Sequence, residues 1–103
     1  MRAPRSILIT GASSGLGSAL ADAYAAPGKI LFLGGRDPAR LEAVARAATA
    51  KGAEVHIETI DVTERAHMDI WIAAAHSTAP LDLVIANAGI SAGTGDGGPE
   101  PAD

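Results

Sequence analysis

Cysteine is absent from this chain of 103 residues, so it can build neither a disulfide framework nor a thiolate metal site. That usage fits a reducing compartment, and a cytoplasmic location is the expectation. Aromatic side chains are almost missing: Tyr24, Phe32 and Trp71 are the only three. An excess of positive charge is also lacking, because the formal net charge is −4 at pH 7. Arg2, Arg5, Arg36, Arg40, Arg46, Lys51 and Arg65 are scattered along the chain. A nucleic-acid binder needs a clustered basic face, so that class is excluded and only a local anion site remains available. No apolar run is long enough to span a bilayer, so no membrane partner is expected. Arg2 and Arg5 precede Ile7-Leu8-Ile9, but this run ends at Thr10-Gly11, too short for the core of a secretory signal.

What is present is a high content of small and branched apolar residues, 48% hydrophobic with 12 glycines. Such a composition suits short helices packed closely on a buried sheet. Ser6 to Thr10 reads as a buried strand. Leu16 to about Ala26 follows as a helix, with Leu16, Ala19, Leu20, Ala23 and Tyr24 at helical spacing, stopped by Pro27-Gly28. Lys29 to Gly34 is a second continuous apolar strand. Asp37-Pro38 supplies a cap acceptor and a first-turn proline for a second helix with the stripe Leu41, Val44, Ala45 and Ala48, and Gly52 sits just past its end.

Glu54 to Ile60 alternates polar and apolar residues, as a strand near a sheet edge does. Thr63 is the predicted cap of a third helix running to about Thr78, with Glu64 near its positive end and Ala66, Ile70, Ala73 and Ala74 toward the sheet. After Pro80, Leu81 to Ala86 makes a fourth strand. The pattern β-α-β-α-β-α-β predicts half of a Rossmann-type α/β fold: a doubly wound parallel sheet, strand order 3-2-1-4, with helices on both faces. Residues 1–89 form this dinucleotide-binding half. Residues 90–103, rich in Gly and Pro, read as a loop or disordered tail where a longer domain is cut.

The strongest local signal is Thr10-Gly11-Ala12-Ser13-Ser14-Gly15-Leu16-Gly17, between a strand and a helix. Gly11 permits the tight turn, Gly15 admits a pyrophosphate close to the backbone, and Gly17 lets the helix approach the sheet. The helix head presents unpaired N–H groups and partial positive charge to an anion. Ser13 and Ser14 add hydroxyls within reach of phosphate or ribose. A glycine-rich turn with no ligand is the plainer alternative. A nucleoside-triphosphate loop is disfavoured, because no lysine follows the last glycine.

This glycine pattern, together with Asp61-Val62 after the third strand and Asn87-Ala88-Gly89 after the fourth, resembles the short-chain dehydrogenase/reductase family from about Ser6 to Ile90. The resemblance implies that Gly11, Ser13, Ser14, Gly15, Leu16 and Gly17 line the pyrophosphate and nicotinamide-ribose side of the cofactor. It further implies that Asp61 accepts from the adenine amino group with the Val62 backbone beside the ring. Asn87, Ala88 and Gly89 would run along the adenosine ribose, Asn87 mainly as a structural hydrogen-bonder. Taken without that context, Asp61 is an ordinary acid at a strand end.

Sites for the 2′-hydroxyl cofactor carry an acid at the end of the second strand. Here that place reads Gly34-Gly35-Arg36. A guanidinium pairs with a 2′-phosphate where a carboxylate repels it, so NADP(H) is expected over NAD(H), which remains possible. The alternative makes Arg36 a solvated cation paired with Asp37 or Glu42. A methyltransferase of related fold would need an acid at this place to hold the ribose of its cofactor, and none is suitably positioned.

His56, His67 and His76 show no ligand spacing, so no metal site is predicted; all three are expected away from the strand ends where this fold binds ligands. Trp71 is expected to pack a helix face. The resemblance implies catalysis by a Ser, a Tyr and a Lys four residues after that Tyr, all beyond the fourth strand. The sole tyrosine, Tyr24, is followed four residues on by Gly28, so no catalytic residue is assigned in this chain and it is expected to be inactive alone. The implied reaction passes hydride between cofactor and a carbonyl or alcohol substrate, in a protein expected to self-associate, with Leu81 to Ala86 beside an absent fifth strand. The alternatives are a non-catalytic dinucleotide-binding or regulatory module ending naturally at Asp103, and an interaction domain that has lost the cofactor. A Tyr-x-x-x-Lys encoded beyond Asp103 would separate the first reading from these.

Overall fold

A computed structural model describes residues 4–87; Ala88, Gly89 and the stretch 90–103 lie outside the described residues. The elements are β1 (Ser6–Thr10), α1 (Gly15–Tyr24), β2 (Ile30–Gly35), α2 (Pro38–Ala50), β3 (Glu54–Thr59), α3 (Arg65–Thr78) and β4 (Leu83–Ala86). The strands form one parallel sheet in the order β3-β2-β1-β4. This is the predicted half-Rossmann arrangement.

Period-two alternation along β1 and β2 sends side chains to two cores. Ile7, Ile9, Leu31 and Leu33 join Ala21 of α1 with Leu41 and Ala48 of α2 in one core. Leu8 and Phe32 join Trp71 and Ala75 of α3 in the other. β1 is buried throughout and β2 from Leu31 onward, with Ile7, Leu8, Ile9, Leu31 and Leu33 fully buried. A strand covered on both faces reads as a continuous apolar run, which is why these two are so plain in the sequence.

The helix ends follow local chemistry. Asp37 caps α2, accepting from the Arg40 amide at 3.2 Å, with Pro38 at the first helical position. Gly52 follows the α2 cap with φ +97°, the left-handed geometry common at that position. At the other end of the sheet from the glycine turn, Asp82 accepts from the amides of Arg5 at 2.8 Å and Ser6 at 3.2 Å, tying the start of β4 to the start of β1.

Four expectations are corrected. Thr63 does not cap α3: the N-cap is Glu64, without a side-chain cap bond, because the Thr63 hydroxyl is spent on Asp61. The sheet-facing side of α3 is not Ala66, Ile70, Ala73 and Ala74, all exposed, but Trp71 and Ala75. Met68 and Ile72 pack against them. Trp71 decides this rotation, since it carries more apolar surface than any of the four predicted residues. It lies over Gly34, where an added Cβ would sit 2.5 Å from the indole Cη2.

In α1, Leu20 and Tyr24 pack on the core as predicted, but Leu16, Ala19 and Ala23 are exposed, and Gly17 and Ala21 take the buried positions. The helix passes so close to the preceding turn that a Cβ on Gly17 would fall 2.0 Å from the Gly11 carbonyl oxygen. Only small residues fit on that side. β4 begins at Leu83 rather than Leu81 and is an edge of the described sheet, with Val84 half exposed.

Candidate cofactor site

Strand register brings the carboxyl ends of the sheet into line: Thr10 pairs with Gly34 and Ala86, and Gly34 with Glu58. The residues that follow these ends, Gly11, Arg36, Asp61 and Asn87, therefore emerge along one rim. In an open α/β sheet this rim is where ligands bind.

At the centre of the rim, Gly11 turns the chain out of β1 with φ +66°, a conformation that disfavours any residue with a Cβ. A Cβ there would also meet the Asn87 carbonyl oxygen at 2.1 Å. Ser14 is the N-cap of α1. Its hydroxyl accepts from the Gly17 amide at 3.2 Å and donates to the Gly11 carbonyl at 2.7 Å. Asn87 joins this knot, its side-chain amide donating to the Gly11 carbonyl at 3.3 Å and to the Ser14 hydroxyl at 3.1 Å. The Ser14 hydroxyl hydrogen is thus engaged by the turn itself. Ser14 is thereby part of the hydrogen-bonded knot that holds the turn.

Above this knot lies the head of α1. The amides of Gly15 and Leu16 are first-turn donors without an acceptor in the helix. Nothing lies within 4 Å of the position a Gly15 Cβ would take, so space beside the backbone is open on that side. Leu16 is 65% exposed although large and apolar. Open backbone, free donors and the positive end of the helix dipole together suit an anion.

A second group forms where β2 and β3 end. A Cβ on Gly35 would stand 2.7 Å from the Ser13 hydroxyl, so Ser13 overlies the residue just before Arg36. The Arg36 side chain is 80% exposed, and its Nε lies 4.0 Å from Asp61 Oδ2. The alternative pairing with Asp37 is not the one observed, because Asp37 faces Arg40 at 3.5 Å. Asp61 Oδ1 accepts from both the Thr63 amide at 2.9 Å and the Thr63 hydroxyl at 2.8 Å. These two bonds, and then Arg36, hold the Asp61 carboxyl below its ordinary value of 3.8. Val62, in the same turn, is half-buried.

Arg36, Thr59, Ile60, Asp61, Glu64 and His67 line an open cleft of about 270 Å³. His67 is the residue the sequence reading missed. Its Nε2 lies 2.8 Å from Glu58 and its Nδ1 3.9 Å from Glu64. The expectation that all three histidines fall away from the strand ends is corrected for this one. The signal was its place in the first turn of the helix that follows Asp61, which points it back toward the rim. His56 instead stacks on Phe32 with ring centroids 5.2 Å apart. His76 accepts from the Leu81 amide at 3.1 Å below α3. Among the described residues no group of three or more His, Asp or Glu side chains could hold a metal ion, and no helix is long and apolar enough to cross a membrane. Ala88 and Gly89, the remaining predicted site residues, lie outside the described residues.

Comparison with known proteins agrees with this architecture. A probable oxidoreductase of Streptomyces lividans is 38% identical over 89 residues, which are 85% of this chain and 29% of that protein. L-Sorbose reductase of Gluconobacter frateurii, solved with NADPH and L-sorbose, superposes with a TM-score of 0.74 at 31% identity, over 89% of this chain and 34% of that one. An alcohol dehydrogenase of Thermococcus sibiricus, solved with 5-hydroxy-NADP, gives 0.70 at 33% identity, over 78% and 35%. The chain spans about a third of the length of most of the curated relatives it matches. The family description "short chain dehydrogenase" matches residues 5–100, nearly the whole sequence, and the chain belongs to that family.

Proposed function

We propose that this chain is the NADP(H)-binding portion of an oxidoreductase that passes hydride between the nicotinamide and a carbonyl or alcohol substrate. The observation that carries the cofactor reading is Arg36, at the end of β2 beside Gly35 and Ser13. NAD(H) sites carry an acid at this place to hold the ribose 2′-hydroxyl. A guanidinium and a hydroxyl are instead the donors that a phosphate accepts from, and Arg can offer two parallel bonds. NADPH or an NADP derivative in the two solved relatives supports the same choice.

The residues fit such a group. The Gly15 and Leu16 amides would hold the diphosphate, with Gly15 leaving room for it. Ser13 and Arg36 would take the 2′-phosphate, and Asp61, kept ionised by Thr63, would accept from the adenine amino group. Ser14 and Asn87 would keep the turn in shape, with Ala88 and Gly89 continuing along the ribose. When bound, NADP(H) supplies or takes up the hydride, and the protein contributes binding and orientation.

Dissociation constants for NADP and NAD, measured on the protein carrying this sequence and on Arg36→Ala, test the assignment. Arg36→Ala weakens NADP by about 1.5–3 kcal/mol, the range for hydrogen bonds to charged groups, and exposure places the effect near the lower end. NAD affinity changes little. Equal weakening of both would remove the phosphate role.

A further inference from the structure

The cleft beside Arg36 has an unexpected balance of charge. Asp61 faces it from the turn after β3, Glu64 from the start of α3, and Glu58 stands behind His67 from β3. Three carboxylates against one guanidinium leave a negative local field, which opposes a phosphate that carries up to two charges. Among the described residues that line the cleft, the one further group able to gain a positive charge is His67. Its side chain is 36% exposed, so solvent can exchange its proton. Glu58 at 2.8 Å fixes the ring so that it stays in the cleft wall.

We infer that His67 is a second determinant of cofactor choice: its imidazolium offsets the carboxylates around the 2′-phosphate, so the preference for NADP(H) over NAD(H) is strengthened at low pH. The inference rests on the assignment of the 2′-phosphate to Arg36. Imidazole is the side chain whose charge changes between pH 5 and 8, so its effect falls inside an accessible range. Glu58 from β3, Glu64 from the start of α3, Asp61 from the turn after β3 and Arg36 from the end of β2 are the charged groups gathered around the ring and its cleft. Binding of a 2′-phosphate adds negative charge to this group, and so draws a proton onto His67. NAD, with a neutral 2′-hydroxyl, has no such effect.

The test compares NADP and NAD dissociation constants at pH 5.5, 7.0 and 8.5 for the unmodified protein, His67→Gln, His67→Lys and Arg36→Ala. The second ionisation of the phosphate also lies in this range, near pH 6, but it is common to all variants and cancels in their ratios. At pH 5.5, His67→Gln lowers the NADP-to-NAD affinity ratio about two- to fivefold, as expected for one partly exposed charge. At pH 8.5 it matches the unmodified protein. At pH 8.5, His67→Lys, with a permanent charge, has a higher NADP-to-NAD affinity ratio than the unmodified protein. In proton NMR, the His67 ring titrates at higher pH with NADP bound than with NAD bound.

A ratio that His67→Gln leaves unchanged, or lowers equally at every pH, overturns the inference while leaving the Arg36 assignment intact. A protein with no NADP preference for Arg36→Ala to remove overturns both.

Discussion

Asn87 donates its side-chain amide to the Gly11 carbonyl at 3.3 Å, joining residues 76 apart in sequence and closing the end of β4 onto the first turn. The same amide holds the Ser14 hydroxyl at 3.1 Å, so one side chain braces both the turn and the cap of α1. Asn87→Ala removes two part-buried hydrogen bonds while the Gly11 carbonyl keeps its bond from Ser14. The expected loss of stability is about 1–2 kcal/mol, since a net bond is worth roughly 0.5–1.5. Denaturant unfolding measures it. Unchanged stability would mean that the knot does not depend on Asn87.

Gly15 and Gly17 are two residues apart and should respond in opposite ways to the same methyl group. Gly17→Ala drives a Cβ into the Gly11 carbonyl and the Ala12 backbone, atoms that cannot yield without moving the strand. Stability falls by more than about 2 kcal/mol, the range for overpacking. Gly15→Ala meets open space, so the melting temperature stays level or rises, alanine being the better helix former by up to about 1 kcal/mol. Its cost appears in dinucleotide affinity, reduced at least tenfold. A Gly15→Ala protein that binds NADP normally would place the diphosphate elsewhere.

Gly34 and Trp71 make a matched pair, glycine below and indole above, 2.5 Å from any Cβ that Gly34 might carry. Trp71→Ala empties a site that is 7% exposed and costs about 3–5 kcal/mol. Gly34→Ala alone also destabilises, by crowding the ring. In the Trp71→Ala background the crowding partner is gone, so Gly34→Ala costs less there. A double-mutant cycle by thermal or urea unfolding reads the coupling directly. Additive costs would show that the indole does not rest on Gly34.

Asp61 has a depressed pKa in the folded chain, caused first by the Thr63 amide, then by its hydroxyl, and last by Arg36. The carboxylate therefore contributes stability above its ordinary value of 3.8, and that contribution is lost as the pH falls through the lower folded value. The difference in stability between the native protein and Asp61→Asn shrinks over this window. Thr63→Val removes the hydroxyl donor and moves the Asp61 titration, followed by carbon NMR of its carboxyl, upward toward 3.8. No movement would assign the shift to the amide alone.

The strands and the glycine turn were legible because their causes are local or periodic. Ile7 to Ile9 and Leu31 to Leu33 are continuous apolar runs since both faces of the central strands are covered. Gly11, Asp37 and Gly52 announce turns and caps through backbone conformations and side-chain acceptors that act within a few residues. The face of α3 was not legible in the same way. Ala66, Ile70, Ala73 and Ala74 trace as good an apolar stripe as Trp71 and Ala75, and the periodicity of an alanine-rich helix does not distinguish them. His67 escaped for a related reason, since its role comes from what stands across the cleft rather than from any spacing.

Element order, the parallel half-Rossmann sheet, the phosphate-type turn and the arginine after β2 all follow from the chain itself. Hydrophobic period, turn chemistry and the handedness of β-α-β crossovers determine them over short distances. Tertiary contact alone decided how α1 and α3 rotate, that Ser14 is engaged by Gly11 and Asn87, and that Arg36 faces Asp61 rather than Asp37. Those outcomes depend on which atoms exclude one another across the folded rim, such as the indole of Trp71 over Gly34 and the carbonyl of Gly11 against Gly17. Close packing permits one arrangement of such neighbours, and residues far apart in the chain acquire that relationship only when the sheet has formed.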